Sequence, residues 1–462
     1  MAGDFGLSDA ELFPLLDDAG REMLRGLREH PHAPRYNWRN GERLDAAGLK
    51  RVREFAARVP QPWSAEQVPS SLLEFFRSCR RDVPFYRQRA DWPDDFHALP
   101  ITRRSDIRRA PWAFVPDWQR VDDLVVYSTS GTSGSRLLIP ATPELPARYL
   151  PLFERALSRV GVKLAGGNRV SIVQICAQHG TVVLCSVSSY LNGAGFVKIN
   201  LDPADWNDPD DRDRFLNDCN PELLTGDPFA LCQLMQLPVT ARPKAIISAG
   251  TGLPAGLRSQ FSRHFGCPVI DMYSMNESGP VAFSFVDGIH EIAQPGLFVE
   301  VLDERGEACA PGTRGEITLT GGLNQCLPLV RYATGDFAAM QFDSGAMPKL
   351  IQFAGRAPVA FRTASGNWIS SVDISTALLP IPLSYLSLHQ HADGKFTLRT
   401  TADQELMNAA RDALIALLGS ATNLEIINED LTTLPGKPIA YSSDLPMPTG
   451  ASDHAAIGAA SA

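Results

Sequence analysis

Residues 248–280 read SAGTGLPAGLRSQFSRHFGCPVIDMYSMNESGP, and the reading of this stretch decides the fold. It continues an apolar run, KAIIS, that is rich in β-branched residues and reads as a strand. Gly250 and Gly252 supply a turn, LPAGLRSQFSRHF predicts a helix, and PVIDMY predicts a second strand. Strand, glycine turn, helix and strand in succession make a βαβ unit and hence a parallel sheet. Two chemistries fit its loops. Gly250, Gly252 and Ala255 spell GxGxxA, and Asp271 follows about twenty residues on, as a dinucleotide fingerprint requires. Glu277, beside Asn276, Ser278 and Gly279 after the second strand, is a carboxylate placed to hold Mg²⁺; a solvated loop acid is the plain alternative.

The same alternation extends upstream, where RVSIVQICA and GFVKINL are further strand candidates. Downstream, residues 296–342 change to short strands punctuated by DERG and PGTRG, an antiparallel texture. The first hundred residues read as helical, with capping boxes at Ser8/Glu11 and Ser64/Gln67. Beyond about residue 355 a smaller unit is expected, with strands near 384–400, a helix at 402–419 and a strand at 424–428. The expected class is α/β. A large domain over 1–355, entered through a mostly helical 1–118, carries mixed or parallel sheets flanked by helices and a small antiparallel region. A small mobile α+β domain over 356–450 and a disordered tail over 451–462 follow.

A chain of 462 residues exceeds one hydrophobic core, and 44% apolar with 21% charged residues is an ordinary globular balance. A formal net charge of −9 argues against a nucleic-acid partner. The polar start MAGDFGLSDAELF carries no secretory pattern, and the apolar runs are too short to span a bilayer. Eight cysteines without a CxxC pair suit free thiols, so a soluble cytoplasmic protein is expected, without membrane attachment.

Four more stretches could carry chemistry. YSTSGTSGSR (127–136) packs hydroxyls and glycines after the apolar DLVVY, but no GxxxxGK follows, so it is no P-loop. It is either a surface loop or an anion cradle of backbone amides. LVRYATGDFA (329–338) presents Asp336 after a glycine turn, FAGRAPVAF sets Gly355 and Arg356 at the change of texture, and LTTLPGKPIAY isolates Lys437. RRSDIRR (103–109) reads as the charged face of a helix capped near Thr102, with Asp106 answering some of its arginines.

In order, these blocks resemble the adenylate-forming superfamily of acyl-CoA synthetases and adenylation domains, nearest its phenylacetate–CoA ligase branch. DVPFYRQRA…LPITRRSDIRR, TSGTSG, LLTGDPFAL, the block at 248–280, PLVRYATGD, the Gly355–Arg356 pair, GNWISSVDI and LPGK each match a block of that branch. Together they span roughly residues 82 to 440.

The resemblance implies an ATP- and Mg²⁺-dependent ligase that activates a small aromatic carboxylic acid as its adenylate and passes it to coenzyme A. It implies that Thr129, Ser130, Gly131, Thr132, Ser133 and Gly134 wrap the outer phosphates, with Arg136 beside Ser135 where the family carries lysine. Gly250, Thr251 and Gly252 meet the adenine with Asp271, Met272 and Tyr273, Tyr273 supplying a stacking ring. Asp336 takes the ribose hydroxyls with Arg356 nearby; Glu277 holds Mg²⁺, Asn276 reaches a phosphate oxygen, and Lys437 serves the reacting α-phosphate and carboxylate. His179, Tyr190, Ser248, Ser274 and Met275 fall in the pocket-lining segments, and Ser274 replaces a glycine, which implies a compact acid. Pro358 stands at the hinge, where it stiffens the rotation between half-reactions. Three alternatives stay open: an amine or carrier-protein thiol as acceptor, a nicotinamide-dependent oxidoreductase, and a non-catalytic adenylate-binding relative. A monomer or homodimer is expected.

Overall fold

The computed structural model describes residues 6–64, 69–89, 92–93, 95–128, 137–178, 181–354, 359–378, 380–381, 383, 386–400, 402–429 and 441–446. An antiparallel pair, β1 (Val125–Ser128) and β2 (Leu138–Ala141), stands apart. A 12-stranded sheet follows. Its parallel part is β3 (Val170–Cys176), β5 (Ala194–Asn200), β6 (Leu223–Gly226), β7 (Ala245–Ala249) and β8 (Val269–Met275), with β4 (Leu184–Ser188) antiparallel at the β5 edge.

Beyond β8 the same sheet runs on antiparallel through β9 (Gly279–Val286), β10 (Ile289–Ile292), β14 (Lys349–Ala354), β13 (Leu329–Gln341), β12 (Arg314–Gly321) and β11 (Phe298–Leu302). The antiparallel region expected from 296–342 is therefore continuous with the parallel strands rather than a separate small sheet. The register from β8 into β9, Asp271 with Ser284 through Met275 with Gly279, makes the join.

The parallel strands carry apolar residues on both faces because both faces are covered. In β3, Ile172 joins one buried cluster with Leu152 and Phe153, while Val173 joins another with Leu27 and Phe215 on the opposite face. Ile247 and Ile246 divide the same way in β7. The predicted helix after the glycine turn spans Ala255–Phe265 and stops at Gly266, whose φ of 70° is left-handed, the usual way a helix releases its chain.

The N-terminal capping box forms as read, Ser8 and Glu11 closing Asp9–Leu12. The second, at Ser64/Gln67, falls partly outside the described residues. The small unit has β15 (Ala360–Arg362) paired with β16 (Trp368–Ser370). A four-stranded sheet of β17 (Leu386–Gln390), β18 (Phe396–Thr400), β19 (Leu424–Asn428) and β20 (Tyr441–Ser443) follows, in the order β19-β18-β17-β20. The helix Gln404–Leu418 buries Ala410, Leu414 and Leu418 in the same core as Leu388 and Leu398. Among the described residues no helix is long and apolar enough to cross a membrane. All eight cysteines are free thiols.

Candidate active site

Glu277 sits in the tight turn between β8 and β9, where Met275 pairs with Gly279. Gly279 has a φ of 77°, and a Cβ there would lie 3.0 Å from Leu323, so the turn needs glycine. Leu323 N–H and the Gln294 side chain both donate to the Ser278 carbonyl and fix the turn from outside. Glu277 is consequently only 3% exposed. Its Oε1 accepts from Arg104 Nη1 at 2.7 Å and from the Tyr332 hydroxyl at 3.1 Å.

Arg104 belongs to the RRSDIRR stretch, read from sequence as a solvated helix face. The helix spans Arg104–Arg109; Asp106 accepts from Arg103 N–H and pairs with Arg109 at 3.2 Å. Arg104 instead turns inward. The entry segment is locked to β13: Thr102 N–H donates to the Arg331 carbonyl and Ala333 N–H to the Thr102 carbonyl, both at 2.9 Å. Arg331, 3% exposed, donates to the carbonyls of His97, Leu99 and Gly306 and pairs with Glu300 at 3.3 Å. The Tyr86 hydroxyl donates to the Pro328 carbonyl and accepts from Val330 N–H, both at 3.0 Å. These bonds place the helical entry beside the Glu277 turn.

Asp336 lies further along β13 on a bulge. Glu316 pairs with Phe337 and Thr318 with Ala333, so Thr334, Gly335 and Asp336 face Ile317 alone. Gly335 takes a φ of 75° there, and its N–H donates to Glu316. Bulges re-aim side chains, and this one turns Asp336 toward β8. Asp336 Oδ2 accepts from the Tyr273 hydroxyl at 3.0 Å. Burial, then the neighbouring Asp336 charge, hold the Tyr273 phenol well above its ordinary range. The Tyr273 ring lies 4.6 Å from that of Phe353, tilted by 52°. Met275 Sδ is 3.8 Å from the same hydroxyl.

At the carboxyl end of β7, Ser248 pairs with Asp271 and Ala249 with Met272, so the glycine turn leaves the sheet beside Tyr273. Gly250 has a φ of 93°, and a Cβ there would lie 3.7 Å from Asp227 Cβ. Asp227 caps the helix Pro228–Leu234 through Ala230 N–H at 2.8 Å. Burial pushes its carboxyl up to about 6, against the backbone N–H groups of Ala230 and Phe229 and with help from Asp373. Ser248 Oγ and Thr251 Oγ1 are buried and find no hydrogen-bond partner among the described residues. Buried orphans of this kind cost free energy unless a bound group satisfies them.

Several sequence-derived residues land elsewhere. Asp271, the would-be ribose acid of a dinucleotide site, is 5% exposed in mid-strand and faces His290 Nε2 at 3.3 Å. Its charge is directed into the sheet, which removes the geometric basis of the nicotinamide reading. Met272 is a core residue. Tyr190 follows β4, and because β4 is antiparallel its end lies at the amino ends of the parallel strands, across the sheet from Ser248. There its hydroxyl donates to Glu154 at 2.6 Å. Asn276 is exposed, Ser274 half-buried. Thr129, Ser130, Gly131, Thr132, Ser133, Gly134, Arg136, His179, Arg356, Pro358 and Lys437 lie outside the described residues; the 129–136 stretch joins β1 to β2.

The chain is 22% identical over 286 residues to a phenylacetate–coenzyme A ligase of Escherichia coli (strain K12). It is 24% identical over 285 residues to the Pseudomonas putida protein of that name. Each match covers 56% of this chain but 63% and 62% of those relatives, just under two thirds of their length. No protein-family model matches. A solved 2-hydroxyisobutyryl-CoA ligase, in complex with 2-HIB-AMP and CoA, superposes over 87% of this chain and 91% of its own with a TM-score of 0.51 at 16% identity. The chain has the fold of that solved ligase. Within that fold, Arg104, Tyr332 and Asp227 are residues that sequence reasoning passed over. Arg104 is one of four arginines in seven positions, and nothing in the sequence marks which one turns inward.

Proposed function

We propose that the chain is an ATP-dependent ligase that joins a small aromatic carboxylic acid to AMP and then transfers the acyl group to coenzyme A. The observation that carries this reading is the placement of Tyr273, with Asp336 on its hydroxyl, and Glu277 at the carboxyl end of β8, next to the β7 end that carries the unsatisfied Ser248 and Thr251 hydroxyls. The names of the relatives, phenylacetate–coenzyme A ligases, support the aromatic acid, and the 2-HIB-AMP and CoA of the solved relative support the two half-reactions.

Carboxylate attack on an α-phosphate brings two anions together, so positive charge and fixed donors are needed where negative charge grows. Glu277 fits a Mg²⁺ site: Arg104 and Tyr332 both bond Oε1, and Oε2 accepts no hydrogen bond among the described residues. The Mg²⁺ would neutralise phosphate charge. Arg104 fixes the carboxylate's rotamer, and Tyr332 completes its orientation. Asp336 accepts ribose hydroxyls, Tyr273 and the Gly250–Gly252 turn border the base, and Ser248, Ser274 and Met275 line the acid pocket. Thr129 to Arg136 cradle the outer phosphates, and Lys437 reaches the reacting oxygens.

The test is acid-dependent exchange of pyrophosphate into ATP across benzoates, phenylacetates, cinnamates and short aliphatic acids, followed by AMP release with and without coenzyme A. Exchange with an aromatic acid and coenzyme A consumption matching AMP release are expected. Exchange without coenzyme A consumption would move the acceptor to an amine or a carrier-protein thiol. No exchange with any acid would leave an adenylate-binding relative without this chemistry.

A further inference from the structure

LSLHQHADGKFTL (386–398) places two histidines two residues apart on β17 and just beyond it. Strand alternation puts residues i and i+2 on one face. Gln390 between them points the other way, 1% exposed, and its amide holds the Arg362 backbone on both sides. His389 and His391 therefore share the outer face of the small domain's sheet, their rings 4.5 Å apart at 85°. The parallel neighbour β20 brings a third group. Ser442 pairs with His389, and Asp444 follows with its N–H on the Gln390 carbonyl at 2.8 Å.

We infer that His389, His391 and Asp444 form a binding site for a late first-row divalent cation, with Zn²⁺ as the reference ion. One ligand atom from each lies within 4.8 Å of the others. His389 Nε2 and Asp444 Oδ2 are 3.3 Å apart, about the edge of a tetrahedron whose zinc bonds are ~2.0–2.2 Å. His389 Nδ1 is engaged by Ser442 Oγ at 2.8 Å, which leaves Nε2 toward Asp444, as an outer hydrogen bond does for ligating imidazoles.

Two imidazoles and a carboxylate suit zinc, nickel or copper, whereas Mg²⁺ prefers oxygen donors alone. The site is thus chemically distinct from Glu277. The plain alternative is an exposed histidine–aspartate ion pair, which contributes little. That alternative covers His389 and Asp444, while His391 is held beside them with its Nε2 on Thr397 Oγ1 at 2.9 Å. A cation here would add to the Ser442–His389 contact that already joins β20 to β17 by side chains.

The test uses the full chain, stripped with chelator and titrated with ZnSO₄ in a calorimeter, then with Co²⁺ while visible absorption is followed. One Zn²⁺ per chain is expected, with d–d bands for Co²⁺ and a melting temperature that rises with Zn²⁺. Asp444→Asn and His389→Gln should each weaken Zn²⁺ roughly tenfold or more and abolish the thermal shift. All three side chains are at the surface of a formed sheet, and unchanged far-UV circular dichroism checks that the variants fold. Absence of stoichiometric binding overturns the inference, as does binding that survives in the His389→Gln/His391→Gln double variant.

Discussion

The two edges of the parallel strands treat their buried polar groups in opposite ways. At the amino edge, Glu222 is 4% exposed and saturated: Ala165 N–H, Gly166 N–H, the Ser171 hydroxyl and Lys244 all donate to it. Those partners hold its carboxyl below the usual range despite burial. At the carboxyl edge, Ser248 and Thr251 have hydroxyls without a partner among the described residues, and Asp227 is pushed up to about 6. One edge saturates its buried carboxylate, and the other leaves two hydroxyls unsatisfied beside a carboxyl that only caps a helix. Open α/β sheets bind ligands outside the carboxyl ends of their strands.

That contrast can be broken by substitution. The largest effect is expected at Glu277. Glu277→Gln keeps an oxygen for Arg104 and Tyr332 but removes the charge, and should lower acid-dependent pyrophosphate exchange by ~10²–10³, about 3–4 kcal/mol of barrier. Activity within threefold of the parent would remove Glu277 from the chemistry. Next is Glu222→Ala, which strands two N–H groups and a lysine at the amino edge. A loss of about 2–4 kcal/mol in urea unfolding is expected, with exchange per folded molecule unchanged.

Asp227→Asn sharpens the comparison through pH. A carboxyl raised in the fold stays protonated after the unfolded chain has ionised. Its contribution to stability is therefore full below about pH 4 and is lost as pH rises through about 6. Asparagine still caps the helix, so the variant should gain about 1–2 kcal/mol over the parent above pH 6.5 and nothing below pH 4, read from unfolding curves at both ends. An equal difference at both pH values would show that the carboxyl's ionisation plays no part. Ser248→Ala should do least to the fold, within ~0.5 kcal/mol, because it removes an unsatisfied hydroxyl rather than a bond. Its KM for ATP or for the acid should nevertheless rise; unchanged values for both would mean that the hydroxyl faces no ligand.

Much of this architecture was legible in residue pattern. The strand candidates at 169–177, 195–201, 244–250 and 268–273 become β3, β5, β7 and β8, and the helix Gln404–Leu418 and strand β19 fall within two residues of their expected ends. Glycine punctuation and both-face burial leave a strong local signal. Direction does not. Nothing within Leu184–Ser188 marks which way it runs, and only its antiparallel pairing with β5 carries Tyr190 to the far edge. Long-range pairing is equally silent: Arg104 and Glu277 are 173 positions apart, and their contact exists because Thr102 docks on β13.

The β13 bulge has a consequence for how this strand can vary. Leu329, Val330 and Tyr332 belong to the core under the helical entry, whereas Ala338 and Met340 belong to the core of the antiparallel strands. Three residues facing one let each half keep its own alternation, so the number of residues between Tyr332 and Ala338 fixes a phase. Deleting Gly335 would leave Tyr332 on Glu277 and shift everything after it by one, turning Ala338 and Met340 to the wrong side of the sheet. A single-residue length change there is a change of face, while the same change in the exposed turn at Gly345 is only a change of loop.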